Sequence, residues 1–249
     1  MRRGSALQSA RARSARVRCS WAALAPGASR PTWPSTGSRT VQFDQQRQDY
    51  FDALAWVTAL MEATTTAQLT DATPCAEYDV RALAGHLIGT AHRGLGTAEG
   101  VSTQAIPHAV TDVPDAQLAA AYAALADRIR AAWKPLRSDD QVRAPWGPCT
   151  AHTAARGFTI ETVTHGWDLA IATDQPSTKL DHAAERCLPF ATDVIPDRLR
   201  GVMYDDPVPG LAAASATERL AHLLGHQRQA LPTRLQADAK REATSEPPG

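Results

Sequence analysis

The stretch Ala151–Thr173 constrains the fold more than any other part of the chain. Phe158, Ile160, Val163, Trp167, Leu169 and Ile171 surround more of a helix's circumference than one stripe would. A helix apolar on several sides has to be enclosed by other elements. The same stretch carries Glu161, His165 and Asp168. Glu161 and His165 are four residues apart, so they differ by about 40° around a helix axis and lie one above the other. Asp168, three residues beyond His165, falls on the same side. Burying carboxylates and an imidazole is costly unless they are paired or coordinated. The chain must therefore wrap further helices around a polar seam.

Those helices are legible in the periodicity. Gln45–Gln68 reads as a first helix, with Phe51, Leu54, Val57, Thr58 and Met61 spaced three or four apart. After a loop at Thr70–Tyr78, Asp79 reads as an N-cap, and Val80, Leu83, Leu87 and Ala91 form an apolar stripe to about Gly94. A third helix spans Asp115–Trp133. Lys134–Pro148 reads as an irregular connection or a short hairpin, and the fourth helix is Ala151–Thr173. Shorter helices are expected at Asp181–Leu188 and Thr217–Leu224. The expected fold is all-α: a four-helix bundle with short extra C-terminal helices. Its domain spans residues 44–226, followed by a polar, disordered tail at 227–249.

Residues 1–43 contain eight arginines and no acidic residue, and they show no sustained period. An organellar targeting segment, a flexible tail and a start codon assigned too far upstream all fit that composition. The remainder holds 18 basic and 26 acidic residues, a net charge of −8. A domain that acidic gains no attraction to phosphate backbones, so nucleic acid is not an expected partner. No stretch approaches the roughly 18 apolar residues of a membrane span. Cys19, Cys75, Cys149 and Cys187 are scattered without CxxC spacing, which suits free thiols in a reducing cytoplasm.

A metal ion would satisfy the buried Glu161 and His165, since carboxylate and imidazole suit Zn²⁺ and other first-row divalent ions. A third ligand must come from another helix. His86, beside the second helix's stripe, is the candidate; His92 is about 120° away from it. Asp168 is a candidate either for fixing the His165 tautomer or for facing a bound ligand and moving a proton. His152 is a further candidate for proton transfer. Spacing alone does not establish the site. A Glu-xxx-His pair also arises as a surface hydrogen bond, and a lone helical histidine is ordinarily a core or boundary residue. Cys75 reads as a packing residue, and His108, His182, His222 and His226 as solvated. Arg81 and Arg93 suit an anionic substrate or a solvated helix face equally.

Thr73-Pro-Cys-Ala-Glu-Tyr-Asp79-Val-Arg81-Ala-Leu-Ala-Gly-His86-Leu resembles the second-helix signature of a bacterial superfamily. That superfamily comprises DinB-like bundles and the metal-binding domain of mycothiol-dependent maleylpyruvate isomerase. Glu161-Thr-Val-Thr-His165-Gly-Trp-Asp168-Leu-Ala resembles its fourth-helix signature. The resemblance covers roughly residues 45–226 and implies a metal bound by His86, Glu161 and His165. It further implies a shorter relative without the isomerase's separate C-terminal domain. Such a protein is expected to be a thiol-using transferase or isomerase, with mycothiol as a candidate cosubstrate. Zn²⁺ is the favoured ion, with Ni²⁺ or Fe²⁺ also compatible. A non-catalytic metal-binding bundle acting as a regulatory or interaction module is the alternative. A small molecule or thiol is the expected partner, and a homodimer is compatible with a bundle of this size.

Overall fold

The computed structural model describes residues 36–195, 197, 200–201, 204–209 and 213–228, with side chains from residue 41 onward. Most of the expected N-terminal extension and C-terminal tail lies outside the described residues. Among the described residues the chain forms six helices and one two-stranded hairpin. They are α1 (Thr36–Ala63), α2 (Val80–Glu99), α3 (Leu118–Trp133), β1 (Gln141–Ala144), β2 (Gly147–Thr150), α4 (Ala151–Ala172), α5 (Asp181–Val194) and α6 (Ala216–Leu223). The protein is mostly helical, and the Pro-containing connection takes the form of an antiparallel hairpin.

α4 is the central element, as its all-round apolar pattern requires. α1, α2, α5, α6 and the hairpin all pack against it, while α3 packs on α1 and α2. Thr150 caps its first turn by accepting a hydrogen bond from Thr153 N at 3.2 Å. Two glycines let neighbours approach. A side chain at Gly157 would meet the Trp146 ring at 2.6 Å, and one at Gly166 would meet Trp56 at 2.7 Å. α1 thus packs closely on α4 beside His165. Trp133 and Trp167 are fully buried core anchors, and Trp133 Nε1 donates to the Gly94 carbonyl at 2.9 Å, tying α3 to α2.

Several helix boundaries differ from the periodicity. α1 begins at Thr36 rather than Gln45, and ends at Ala63 with a 3-10 turn, Thr66–Gln68, beyond it. α2 continues past Gly94 to Glu99 and stops at Gly100, which takes the left-handed conformation (φ 70°) that ends helices without a Cβ penalty. α5 runs through Pro189 to Val194. The burial of Ala183, Ala184, Cys187 and Ala191 on its inner face outweighs the proline's local cost.

The loop between α2 and α3 lies along α2. A Cβ at Gly85 would stand 2.3 Å from the Val110 carbonyl oxygen, and one at Gly89 would stand 3.0 Å from that of Pro107. Val110 N donates to the Gly85 carbonyl at 3.0 Å. Arg93 Nη2 donates to the carbonyls of Ile106 and Pro107 at 3.1 and 2.7 Å. Arg81 Nη2 donates to Val113 O at 2.6 Å, and its Nε pairs with Asp115 at 2.7 Å. Both arginines hold this loop to the helix rather than standing free on a solvated face.

Candidate metal centre

α2 and α4 meet where their polar residues face each other. His86 Nε2 lies 3.0 Å from Glu161 Oε1, and His165 Nε2 lies 3.6 Å from the same oxygen. The rings of His86 and His165 are 4.6 Å apart, edge to face. All three residues are buried: His86 is 1 % exposed, His165 3 % and Glu161 8 %. The three residues singled out from the sequence therefore converge, across 75 residues of chain.

What lies behind each imidazole sets its protonation. His86 Nδ1 is 2.9 Å from the His108 backbone carbonyl, which can only accept, so that nitrogen carries the proton. The Tyr78 hydroxyl is 3.3 Å from the same nitrogen, and its ring stacks on His86 with centroids 5.1 Å apart. Burial holds the His86 imidazole below its ordinary pKa, against the opposing pull of the Glu161 carboxyl group beside it. In the neutral ring, Nε2 is then a bare lone pair aimed at Glu161. His165 Nδ1 donates to Asp168 Oδ2 at 2.9 Å, so Nε2 is the nitrogen turned toward Glu161.

Asp168 is fully buried and meets His165 through the nitrogen that does not face Glu161. It also accepts from His226 Nδ1 at 2.8 Å. Burial alone would raise its pKa. His226 and His165 together outweigh burial and hold the carboxyl below its ordinary value, as a carboxylate. His152 is not brought here. It lies in the first turn of α4 against Phe43, about 13 Å along the axis from Glu161.

The donor set fits a divalent ion. Two imidazole nitrogens and a carboxylate oxygen are hard-to-borderline ligands of the kind Zn²⁺ takes. Around such an ion, ligands about 2.0–2.1 Å from the centre stand roughly 3.3–3.5 Å apart. The separations of 3.0 and 3.6 Å bracket that value. Each imidazole is backed by an acceptor on its far nitrogen, the arrangement that orients metal-binding histidines.

Two residues that the sequence reading left aside also come to this region. Cys75 and His226 present donor atoms within 4.8 Å of those of His165 and Asp168. Eleven residues of continuous helix would set Cys75 about 16 Å from His86. The segment before α2 instead folds back on itself, with the Thr73 hydroxyl bonded to the carbonyls of Cys75 and Tyr78 at 2.9 and 2.8 Å. His226, expected to be solvated, is buried. α6 in fact closes in a Schellman motif: Gly225 (φ 94°) donates to His222 O at 3.1 Å, and His226 N donates to Ala221 O at 3.0 Å. That turn sends His226 back onto α4. His222 is likewise buried, against the Trp167 ring, rather than solvated. His108 and His182 are exposed.

The family model described as the mycothiol maleylpyruvate isomerase N-terminal domain matches residues 50–170. This stretch is similar to that family. The match begins within α1 and ends within α4, so it includes the α2 segment bearing His86 and the α4 segment bearing Glu161, His165 and Asp168. No curated protein and no solved structure matches the chain. The mycothiol maleylpyruvate isomerase N-terminal domain family is DinB-like and metal-binding, in keeping with a mostly helical chain whose polar side chains gather between α2 and α4. Among the described residues, no helix is long and apolar enough to cross a membrane.

A third gathering of donors, Asp49, Asp52 and His182, lies between α1 and α5. Asp49 already has its counter-ion there: Arg186 makes a two-pronged contact to its carboxylate and ties α5 to α1.

Proposed function

We propose that the domain holds one divalent ion, Zn²⁺ foremost, through His86 Nε2, Glu161 and His165 Nε2, and works as a thiol-using transferase or isomerase. The observation that carries this reading is the pair of imidazoles whose Nδ1 atoms are already engaged by acceptors, with both Nε2 atoms and a carboxylate oxygen facing one point. The family's printed name supports a low-molecular-weight thiol such as mycothiol as the cosubstrate.

When bound, such an ion supplies Lewis acidity, lowering the pKa of a thiol or water set against it. The rest is the work of the chain. The His108 carbonyl and Asp168 engage the far nitrogens of His86 and His165 and so turn the near nitrogens toward Glu161. The apolar packing of α4 excludes water, and low polarity strengthens every charge interaction in the pocket. Asp168, reaching His165 from behind, is assigned a positioning role ahead of proton transfer. The free thiols of Cys149 and Cys187 suit a reducing cytoplasm.

The test begins with metal analysis of protein purified without a metal-binding tag. Bound divalent metal in the wild type, with one equivalent lost in Glu161→Ala and in His165→Ala while helicity is retained, is the expected result. A thiol-dependent transferase and isomerase screen follows, with His86→Ala as the inactive control. Metal without any thiol-dependent turnover would replace the enzyme reading with that of a metal-binding regulatory module. No metal after reconstitution would sink both.

A further inference from the structure

Cys75, His165, Asp168 and His226 present donor atoms within 4.8 Å of one another, and the set shares only His165 with the trio described above. It comes from three places in the fold: the folded-back segment before α2, the second half of α4 and the Schellman turn after α6. All four residues are enclosed, with Cys75 3 % exposed and His226 9 %.

The independent sign that a ligand belongs here is Asp168 itself. Its Oδ2 accepts from both His165 and His226, at 2.9 and 2.8 Å. Its Oδ1 is buried and has no hydrogen-bond partner among the described residues. A carboxylate oxygen enclosed without a donor is expensive, and a cation satisfies it directly. The neighbours are of the right kind: a sulfur, an imidazole and a carboxylate form a mixed soft and borderline set that suits Zn²⁺ or Co²⁺.

We infer that Cys75, Asp168 and His226 form a second divalent-metal site, softer than the first, with His165 standing between the two. Ligands around a tetrahedral ion with one sulfur stand roughly 3.3–3.8 Å apart, so closing from the 4.8 Å limit takes about an ångström of side-chain movement. On binding, the ion replaces the Cys75 thiol proton, which leaves to solvent, and takes the place of the Nδ1 proton that His226 gives to Asp168, leaving His226 protonated on Nε2; it draws on the oxygen now without a partner, while Oδ2 keeps its hold on His165. Two ions so placed would share Asp168 as a ligand of one and a support of the other. This inference stands apart from the thiol-enzyme reading and survives its failure.

The experiment is a Co²⁺ titration of the full chain after chelator treatment, followed in the visible and near ultraviolet. Wild type is expected to take two equivalents, one of them giving a sulfur-to-cobalt charge-transfer band. Cys75→Ser should lose that band and one of the two equivalents, with helicity unchanged. His226→Gln should shift or weaken the band while Cys75 stays in place. Glu161→Ala should lose the other equivalent and keep the band, so failure of the first site is read separately. A wild type without a charge-transfer band, or a band that survives in Cys75→Ser, overturns the second site. Should Cys75→Ser fail to fold, an unchanged band in His226→Gln overturns it equally.

Discussion

A neutral imidazole presents one bare nitrogen, and which one is decided by what the other touches. His165 owes its orientation to Asp168, and His86 to the carbonyl of His108. Asp168→Asn keeps the size of the side chain but removes the charge that favours a proton on His165 Nδ1. It should weaken metal affinity by about 10–100-fold without unfolding the protein, measured by competition with a coloured chelator. Unchanged affinity would remove Asp168 from the site's support. This level was partly legible beforehand. Glu161 and His165 announce themselves by their spacing on a helix that must be buried, and Asp168 by its place on the same side. His86 was named by its neighbours on an apolar stripe. The His108 carbonyl was not legible, because any residue can supply a backbone oxygen. Cys75 and His226 were not legible either, since each reaches Asp168 through a turn whose path depends on tertiary contacts.

Elements, more than single side chains, deliver these groups. The α2–α3 loop is laid along α2 because Gly85 and Gly89 have no Cβ to hold it off, and Arg81 and Arg93 clamp its carbonyls. Gly85→Ala places a methyl 2.3 Å from the Val110 carbonyl, a backbone atom with little room to give. Thermal unfolding should show a loss of about 1–3 kcal/mol, the usual cost of overpacking, together with weaker metal binding as the His108 carbonyl withdraws from His86. A variant with wild-type stability would mean the loop is not held where it lies. Helix existence followed from periodicity, but helix ends did not. Pro189 and the glycines of α2 signal breaks that the packing of α5 and the loop over α2 override. α4 was the most legible element, since a helix apolar on every side has only one place to go.

At the scale of the whole molecule, stability should respond to metal and to acid. An ion held between α2 and α4 stabilises the folded state by about 2.7 kcal/mol at a hundredfold excess over its dissociation constant. For a chain of this size that is roughly 5–10 °C in Tm, and the part of the shift that this ion supplies should be lost in Glu161→Ala. A metal-independent Tm would contradict the site. Acid acts elsewhere. His152 is pushed down from 6.5 to about 4, by burial first and Arg156 second. The unfolded chain takes up a proton there that the folded one refuses. Its contribution is intact above about pH 6.5 and drains away as the pH falls towards about 4. His152→Gln should flatten the acid limb of the stability curve, and an unaltered limb would show that His152 is not its source. The burial of His86, Glu161 and His165 also bears on time rather than equilibrium. Donors so enclosed can release an ion only as fast as the helices part. The metal a molecule carries would then record which ion was abundant when it folded, and later changes in supply would reach newly made chains first.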